Sequence, residues 1–193
     1  IGAGISGDAE AAAMAHKAVN WAMANRRIGK SGGFRHDARD VAGPYLADNV
    51  AMARAQLALY KLEGRREWLQ AAIATTDFIN AQFRQRGGGF RSAKPQGVIA
   101  PPLAVVEENI ALVRHANLLS HYAGLPRFRA MAEHGMRYLA TPSVSAGVIT
   151  EAGILLAADE LATDPLHLTI VSAKRDAAGE ALWRTALRQP GGY

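Results

Sequence analysis

One stretch of sequence occurs twice and decides the fold. Residues 48–64 read DNVAMARAQLALYKLEG, and residues 108–124 read ENIALVRHANLLSHYAG, at an offset of 60 positions. The same offset relates Trp68 to Phe128 in the segments that follow. A repeat of this length is typical of stacked supersecondary units, each of which buries its apolar face against its neighbours.

Each repeat unit is predicted to be a pair of helices. Apolar residues recur at helical spacing over residues 50–62, and alanines surround them, which favours an inner helix packed on several sides. Gly64 is placed to end this helix, and residues 68–83 show the pattern of an amphipathic outer helix. Further helices are predicted at residues 11–26 (outer), 110–122 (inner), 128–139 (outer, with Pro126 at its first position) and 149–161 (inner).

Long loops rich in Gly and Pro are predicted between each outer helix and the next inner helix, at residues 29–46, 85–106 and 141–148. The motif Gly-Gly-Phe lies in the first two of these loops, at residues 32–34 and 88–90. Loops of this length on one face of a rigid scaffold are the usual places for binding and catalytic residues. A site is therefore expected where these loops enter the inner helices.

The composition is that of a folded domain without cysteine chemistry. The chain has 193 residues, of which 49% are hydrophobic and 20% are charged, and it contains no cysteine. A disulfide scaffold, a thiol nucleophile and cysteine-ligated zinc are therefore excluded within these residues. No pair of histidines has metal-binding spacing, so we expect neither a metal site nor a cofactor.

The net charge of +5 arises mainly from arginines. They cluster at residues 26–27, 65–66 and 84–86, at predicted helix ends and turns rather than along one stripe. A nucleic-acid interface needs basic residues concentrated on one element, so nucleic acid is not an expected partner. No run of about 18 apolar residues occurs, so no membrane span is expected. We expect a cytoplasmic location.

The two ends of the chain differ from its middle. Residues 2–7 match the pattern G-x-G-x-x-G, but the acidic residue expected about 20 positions later is missing, so flavin or dinucleotide binding is kept only as an alternative. Because the chain begins at Ile1, we expect a fragment or a processed product. Residues 164–193 predict an incomplete α/β segment, with a buried strand at 166–171 and a helix at 177–188.

Five segments match one known family in the same order: 45–49 (YLADN), 57–60 (LALY), 64–69 (GRREWL), 88–90 (GGF) and 165–171 (PLHLTIV). They resemble the toroid region, of six-hairpin glycosidase type, of the thioredoxin-like, spermatogenesis-associated protein family. The repeat pattern predicts an all-α domain of helical hairpins at residues 8–163, followed by a short C-terminal strand-helix piece. The resemblance, which covers about residues 30–188, implies that these hairpins form part of an (α/α)6 toroid. Related toroids include N-acylglucosamine 2-epimerases and several glycoside hydrolases.

Two carboxylates stand at equivalent places in the two units. Asp48 and Glu108 both lie where a long loop enters an inner helix, and in a toroid such ends converge on a central cavity. Two carboxylates across a cavity are suited to act as general acid and general base on a glycosidic bond. Capping of the helix N-termini is the alternative for both. By position, only Asp48 and Asn109 carry over from the family's pattern.

Histidines and aromatic residues supply the other candidates. Epimerisation uses an imidazole acid or base, for which we consider His36 in a long loop and His115 in an inner helix. Packing between helices is the alternative for His115. A turn with a hydrophobic plug is the alternative for the Gly-Gly-Phe motif. The predicted substrate-binding residues are Phe34, His36, Tyr45, Phe90, Glu107 and Asn109, while Asp48, Glu108 and His115 are the predicted catalytic residues.

The leading hypothesis is a carbohydrate-active or sugar-binding toroid, a glycoside hydrolase or epimerase, with a small sugar as its ligand. The second hypothesis is a non-catalytic helical scaffold attached to a thioredoxin-like domain. An open, acidic cavity favours the first, whereas a filled cavity with Asp48 and Glu108 in capping bonds favours the second. Half a toroid leaves apolar flanks exposed, which predicts self-association or a missing remainder of the parent chain.

Overall fold

The computed structural model describes residues 8–40, 43–94, 103–147, 152–173 and 176–188. Within these residues eight helices follow one another and no sheet is formed, although isolated β-bridges join loop residues. The predicted all-α fold class is confirmed. The helices are α1 (Ala9–Asn25), α2 (Leu46–Glu63), α3 (Arg66–Phe83), α4 (Val106–Ala123), α5 (Pro126–Leu139), α6 (Pro142–Ser145), α7 (Ala152–Ala162) and α8 (Ala177–Ala186).

Two helical hairpins form the centre of the molecule. Helix α2 packs on α3, and α4 packs on α5, with a short turn inside each pair. Each inner helix ends at a glycine in the left-handed conformation, Gly64 (φ 66°) and Gly124 (φ 64°), whose amides donate to the carbonyls of Tyr60 and Ser120. The predicted glycine ends and the predicted start of α5 at Pro126 are confirmed.

The inner helices lie side by side. Helix α4 contacts α2 and also contacts α7. The N-terminal ends of α2 and α4 line one cavity, and near their C-terminal ends the rings of Tyr60 and Tyr122 meet edge to face, with centroids 5.6 Å apart. The two helices therefore run in parallel. One apolar core joins both hairpins, as expected of stacked repeats.

A buried asparagine at the start of each inner helix holds the Gly-Gly-Phe loop. Asn49 Oδ1 accepts from the amide of Phe34 (2.8 Å), while its Nδ2 donates to the carbonyls of Phe34 (3.1 Å) and Tyr45 (2.7 Å). Asn109 makes the same bonds to the amide (2.8 Å) and carbonyl (2.9 Å) of Phe90 and to the carbonyl that precedes α4 (2.8 Å). We call each set of three bonds an asparagine clamp.

The clamps seat one phenylalanine of each loop in the core. Phe34 and Phe90 are 1% and 0% exposed. The glycines before them allow the outer helices to come close. Gly89 has φ 75°, and a Cβ there would lie 2.7 Å from the Cβ of Tyr138 in α5. A Cβ on Gly33 would lie 2.3 Å from a ring of α3. Each loop is thus wedged between the inner and outer helices of the hairpin that follows it.

The terminal helices pack against α2. Val19 of α1 lies with Leu59 and Trp68 in a second, small apolar cluster. The indole of Trp183 in α8 donates to the carbonyl of Leu62 (3.4 Å). The predicted C-terminal helix is therefore confirmed, with its observed bounds at Ala177–Ala186.

The strand predicted at residues 166–171 is wrong. These residues form no part of a sheet within the described chain, and Leu166 and Val171 are 62% and 91% exposed. A β-branched apolar run becomes a strand only where a partner takes up its backbone hydrogen bonds. The loop predicted at 141–148 contains the short helix α6. Residues 2–7 and the predicted start of the third inner helix, at 149–151, lie outside the described residues.

Replacing Asn109 by alanine removes a clamp and leaves the amide and carbonyl of Phe90 buried without their partner. We expect Asn109→Ala to lose about 3 kcal/mol of unfolding free energy in urea titrations, since each orphaned buried group costs about 1–3 kcal/mol. The exposed Asn20 provides the control, and Asn20→Ala should change stability by less than about 0.5 kcal/mol. Equal stability of the two variants would contradict the role of the clamp.

Candidate functional site

One cavity opens where the long loops enter the inner helices. It has a volume of about 630 Å³ and lies at the N-terminal ends of α2 and α4. The structure brings together Asp48 and Glu108, two of the predicted catalytic residues, with His36 and Tyr45 from the predicted substrate-binding set. Among the described residues the lining is rich in carboxylates and comprises His36, Asp37, Arg39, Asp40, Tyr45, Ala47, Asp48, Ser92 and Glu108.

Asp48 is paired with His36 from the preceding loop. The Nδ1 atom of His36 lies 3.2 Å from Oδ1 and 3.1 Å from Oδ2 of Asp48. This hydrogen bond, followed by the negative charge of Asp48, raises the pKa of His36 above its ordinary value. The contact holds the imidazole by Nδ1 and leaves Nε2, which makes no hydrogen bond to a described residue, available to a ligand.

Glu108 has different surroundings. It is half-buried, and its Oε2 atom is buried without a hydrogen-bond partner among the described residues. Burial raises the pKa of Glu108, and the negative charges of Asp48 and Glu107 raise it further. A carboxyl group that is withdrawn from water and placed near other carboxylates keeps its proton to a higher pH than an exposed one. Glu108 is therefore the carboxyl group suited to donate a proton.

Neither carboxylate caps its helix. The side chains at the N-cap positions, Tyr45 and Val105, make no capping bond, and the hydrogen bonds of Asp48 are to His36. Both acids still lie in the first helical turn, where a negative charge is favourable to the helix dipole. The capping alternative is thus met only by the favourable interaction of both charges with the helix dipole, and neither carboxylate makes a capping bond to a described residue.

Tyr45 and Asp40 add polar groups to the cavity. The phenol of Tyr45 donates to Oδ1 of Asp40 (3.5 Å). Burial, followed by the charge of Asp40, raises the pKa of Tyr45, which keeps the phenol neutral. The ring of Tyr45 meets the imidazole of His36 edge to face, with centroids 6.1 Å apart. The carbonyl of Ser92 accepts from the amide of Leu46 at 2.8 Å, which ties the second loop to the start of α2.

Five lining residues were not among the predicted site residues, namely Asp37, Arg39, Asp40, Ala47 and Ser92. Their only sequence signal is their position in, or directly after, the predicted loops at 29–46 and 85–106. The path of those loops depends on contacts with distant residues, including the clamps, and residue type alone does not reveal it.

His115 and Glu107 line a different surface, a groove of about 400 Å³ between α2 and α4. His115 is buried, and its Nε2 lies 2.9 Å from Oγ1 of Thr76. Because that hydroxyl donates to the carbonyl of Ala72 (2.7 Å), the imidazole is the donor of the pair. Burial lowers the pKa of His115 to about 3, so the ring is neutral. His115 does not join the carboxylates, and its contacts fit the helix-packing alternative.

Phe34, Phe90 and Asn109 do not line the cavity either. The two rings lie in the core, and the amide of Asn109 is occupied by its clamp. The prediction that these three residues contact a sugar is therefore not supported, because they expose almost no surface to a ligand. The hydrophobic plug proposed as the alternative for the Gly-Gly-Phe motif agrees with their burial.

No protein-family model matches the chain, and no curated protein matches it in sequence. The resemblance to the thioredoxin-like, spermatogenesis-associated family therefore stays a prediction. None of the described helices is long and apolar enough to cross a membrane. In the described part of the chain, no three His, Asp or Glu side chains meet in a group that could hold a metal ion.

Because the pKa of Glu108 is raised in the folded protein, the unfolding free energy depends on pH. The contribution of this group is favourable below the ordinary pKa of a glutamate and is lost as the pH rises through the raised value. Glu108→Gln resembles the protonated form. We therefore expect it to have a higher unfolding free energy than the natural chain at about pH 7, an advantage that shrinks below about pH 4.

Urea unfolding over a pH series measures this difference. Asp159→Asn is the control, since it removes the same charge from an exposed position in α7. Its stability relative to the natural chain should change little with pH. The burial cost assigned to Glu108 is contradicted if Glu108→Gln is no more stable than Asp159→Asn at neutral pH.

Proposed function

We propose that this protein binds a sugar in the cavity at the N-terminal ends of α2 and α4 and hydrolyses a glycosidic bond there. The observation that carries the proposal is that Asp48 and Glu108, from equivalent positions of two repeat units, line one cavity in unequal surroundings. One carboxylate is paired with an imidazole, and the other is half-buried with an oxygen that has no donor. Carboxyl groups in such contrasting environments divide the roles of acid and base.

Glu108 takes the role of general acid. Its raised pKa lets it hold the proton that must pass to the leaving oxygen as the glycosidic bond breaks. Asp48 takes the role of base or nucleophile on the other side of the bond. It either removes a proton from the attacking water or attacks the sugar carbon itself, according to the separation of the two carboxyl groups. His36, in its protonated form, positions the Asp48 carboxylate and sets a positive charge beside it.

The rest of the cavity suits a polyhydroxylated ligand. Its volume of about 630 Å³ lies within the range of about 300–1,000 Å³ that is usual for small-molecule sites. The carboxylates of Asp37 and Asp40 offer acceptors for sugar hydroxyls, and Ser92 offers a hydroxyl that both donates and accepts. Tyr45 supplies an aromatic wall next to His36.

Epimerisation of a sugar is the second candidate, favoured by the presence of His36 with an unbonded Nε2 in the same cavity. In that reaction an ionised Glu108 removes a proton from a sugar carbon, while protonated His36 returns one. The two reactions differ in the sign of their pH dependence. Hydrolysis slows as the pH rises through the raised pKa of Glu108, because the acid loses its proton, whereas epimerisation accelerates over the same range.

A non-catalytic scaffold attached to a thioredoxin-like domain is the remaining alternative. It calls for a filled cavity and for carboxylates engaged in capping bonds. The open cavity and the absence of capping bonds from Asp48 and Glu108 among the described residues support sugar chemistry over this alternative.

A panel of glycosides tests the proposal on the full chain. Glu108→Gln should lower kcat by about 10²–10⁴-fold, the usual contribution of a general acid, while the Kd for the sugar stays within a few-fold. A substrate whose leaving group departs without a proton should restore most of the rate in Glu108→Gln but not in Asp48→Asn. This selective rescue identifies the acid, and a structural role for Glu108 does not produce it.

Asp159→Asn serves as the control and should keep the natural rate. Equal loss of rate in Glu108→Gln with both kinds of leaving group would show that Glu108 is not the acid. Binding of no sugar to the natural chain would contradict the whole proposal and favour the scaffold.

A further inference from the structure

A second concave surface lies between the inner helices, separate from the cavity that holds the two carboxylates. This inner groove, of about 400 Å³, is lined by side chains that include Arg54, Leu57, Lys61, Ile110, Arg114 and His115. Arg54 of α2 and Arg114 of α4 are 60 positions apart, so the repeat makes them equivalent. The groove therefore has one arginine from each repeat unit on its walls.

Arg114 forms an ion pair with a carboxylate at the edge of the inner groove. Its Nε lies 2.8 Å from Oε2 of Glu160, and its Nη2 lies 2.7 Å from Oε1 of the same residue. This is the two-pronged contact that the planar guanidinium makes with a carboxylate. Glu160 belongs to α7, the inner helix next to α4. The positive charge of Arg114 in the inner groove is thus neutralised by Glu160, a carboxylate of the protein itself.

Arg54 has the equivalent position but no such partner. Its side chain is exposed, and it makes no hydrogen bond or ion pair with any described residue. The positive charge of Arg54 also acts on His115, whose pKa is lowered mainly by burial and further by this charge. Lys61 is the third cation of the lining, and the lining carboxylates among the described residues are Glu107 and Glu160. Arg54 is therefore a guanidinium in the groove that binds no carboxylate of the described residues.

We propose that the inner groove is a subsite for an anionic group, a carboxylate or a phosphate, which Arg54 binds as Arg114 binds Glu160. The apolar side chains of Leu57 and Ile110 also line the groove, and charge interactions strengthen where a ligand displaces water from such a surface. Inorganic phosphate alone is enough to test the subsite, since a guanidinium needs only two neighbouring acceptor oxygens on the bound group.

This inference rests on the proposed function in assigning the anion to a sugar. Ala47 lines the carboxylate cavity and Arg54 lines the inner groove, seven residues apart on α2. Seven residues are about two turns, so both face the same side of the helix about 10 Å apart along its axis. The substrate that fits both surfaces is an acidic sugar derivative longer than one ring, with its charged group about 10 Å from the part that occupies the cavity.

Titration of the full chain with inorganic phosphate, followed by amide NMR, tests the subsite first. Saturable shifts are expected in α2 and α4 around Arg54. Arg54→Gln should weaken phosphate binding by at least about tenfold, since hydrogen bonds to charged groups are the strong ones. Arg66→Gln removes the same charge from the exposed start of α3 and should leave the affinity unchanged. Absence of saturable shifts, or equal weakening in both variants, overturns the subsite.

Sugar titrations then test two further points: whether the bound anion belongs to a sugar, and whether the protein binds sugars at all. A uronate-containing disaccharide or a phosphorylated disaccharide should bind at least about tenfold more tightly than the neutral disaccharide, and Arg54→Gln should remove this preference while Glu108→Gln keeps it. Equal binding of the charged and neutral sugars overturns the assignment of the anion to the substrate. Phosphate binding in the groove without binding of any sugar supports the subsite and contradicts the proposed function.

Discussion

The structure around the cavity depends on one buried side-chain amide in each repeat, that of Asn49 in the first and Asn109 in the second. Each amide satisfies both backbone groups of a phenylalanine in the preceding loop and one carbonyl at the start of its own helix. A buried backbone group without a partner costs about 1–3 kcal/mol, so neither loop can leave its helix without losing two or more such bonds. The clamps thereby fix the two Gly-Gly-Phe segments to the helical scaffold.

The clamps also decide where the carboxylates lie. Asp48 and Glu108 each precede a clamp asparagine by one residue, and successive residues of a helix point about 100° apart. Because each asparagine side chain points to the loop backbone in the core, the preceding carboxylate points to the cavity at the N-terminal ends of α2 and α4. The repeat accordingly supplies two carboxylates to one cavity. The loops make them unequal, since the first loop brings His36 to Asp48, while no described residue donates to the buried oxygen of Glu108.

Much of the fold could be predicted because its signals are local. Apolar spacing and the glycines at 64 and 124 indicate the helices and their ends without reference to the rest of the chain. The shared position of Asp48 and Glu108 followed from the repeat. The sequence left open whether Phe34 and Phe90 contact a ligand or fill the core, because the choice depends on clamps between residues 15 and 19 positions apart. The His36–Asp48 pair depends on the same loop path, and the failed strand at 166–171 depended on a partner strand that local composition does not reveal.

The central claim is that burial, together with the nearby negative charge of Asp48, raises the pKa of Glu108 in the cavity that the two carboxyl groups share. An NMR titration of the Glu108 side-chain carboxyl carbon, in the natural chain and in Asp48→Asn, tests this claim most directly. The account predicts a pKa above the ordinary glutamate value in the natural chain and a lower pKa once the charge of Asp48 is removed. An ordinary pKa for Glu108 that does not respond to Asp48→Asn would contradict it.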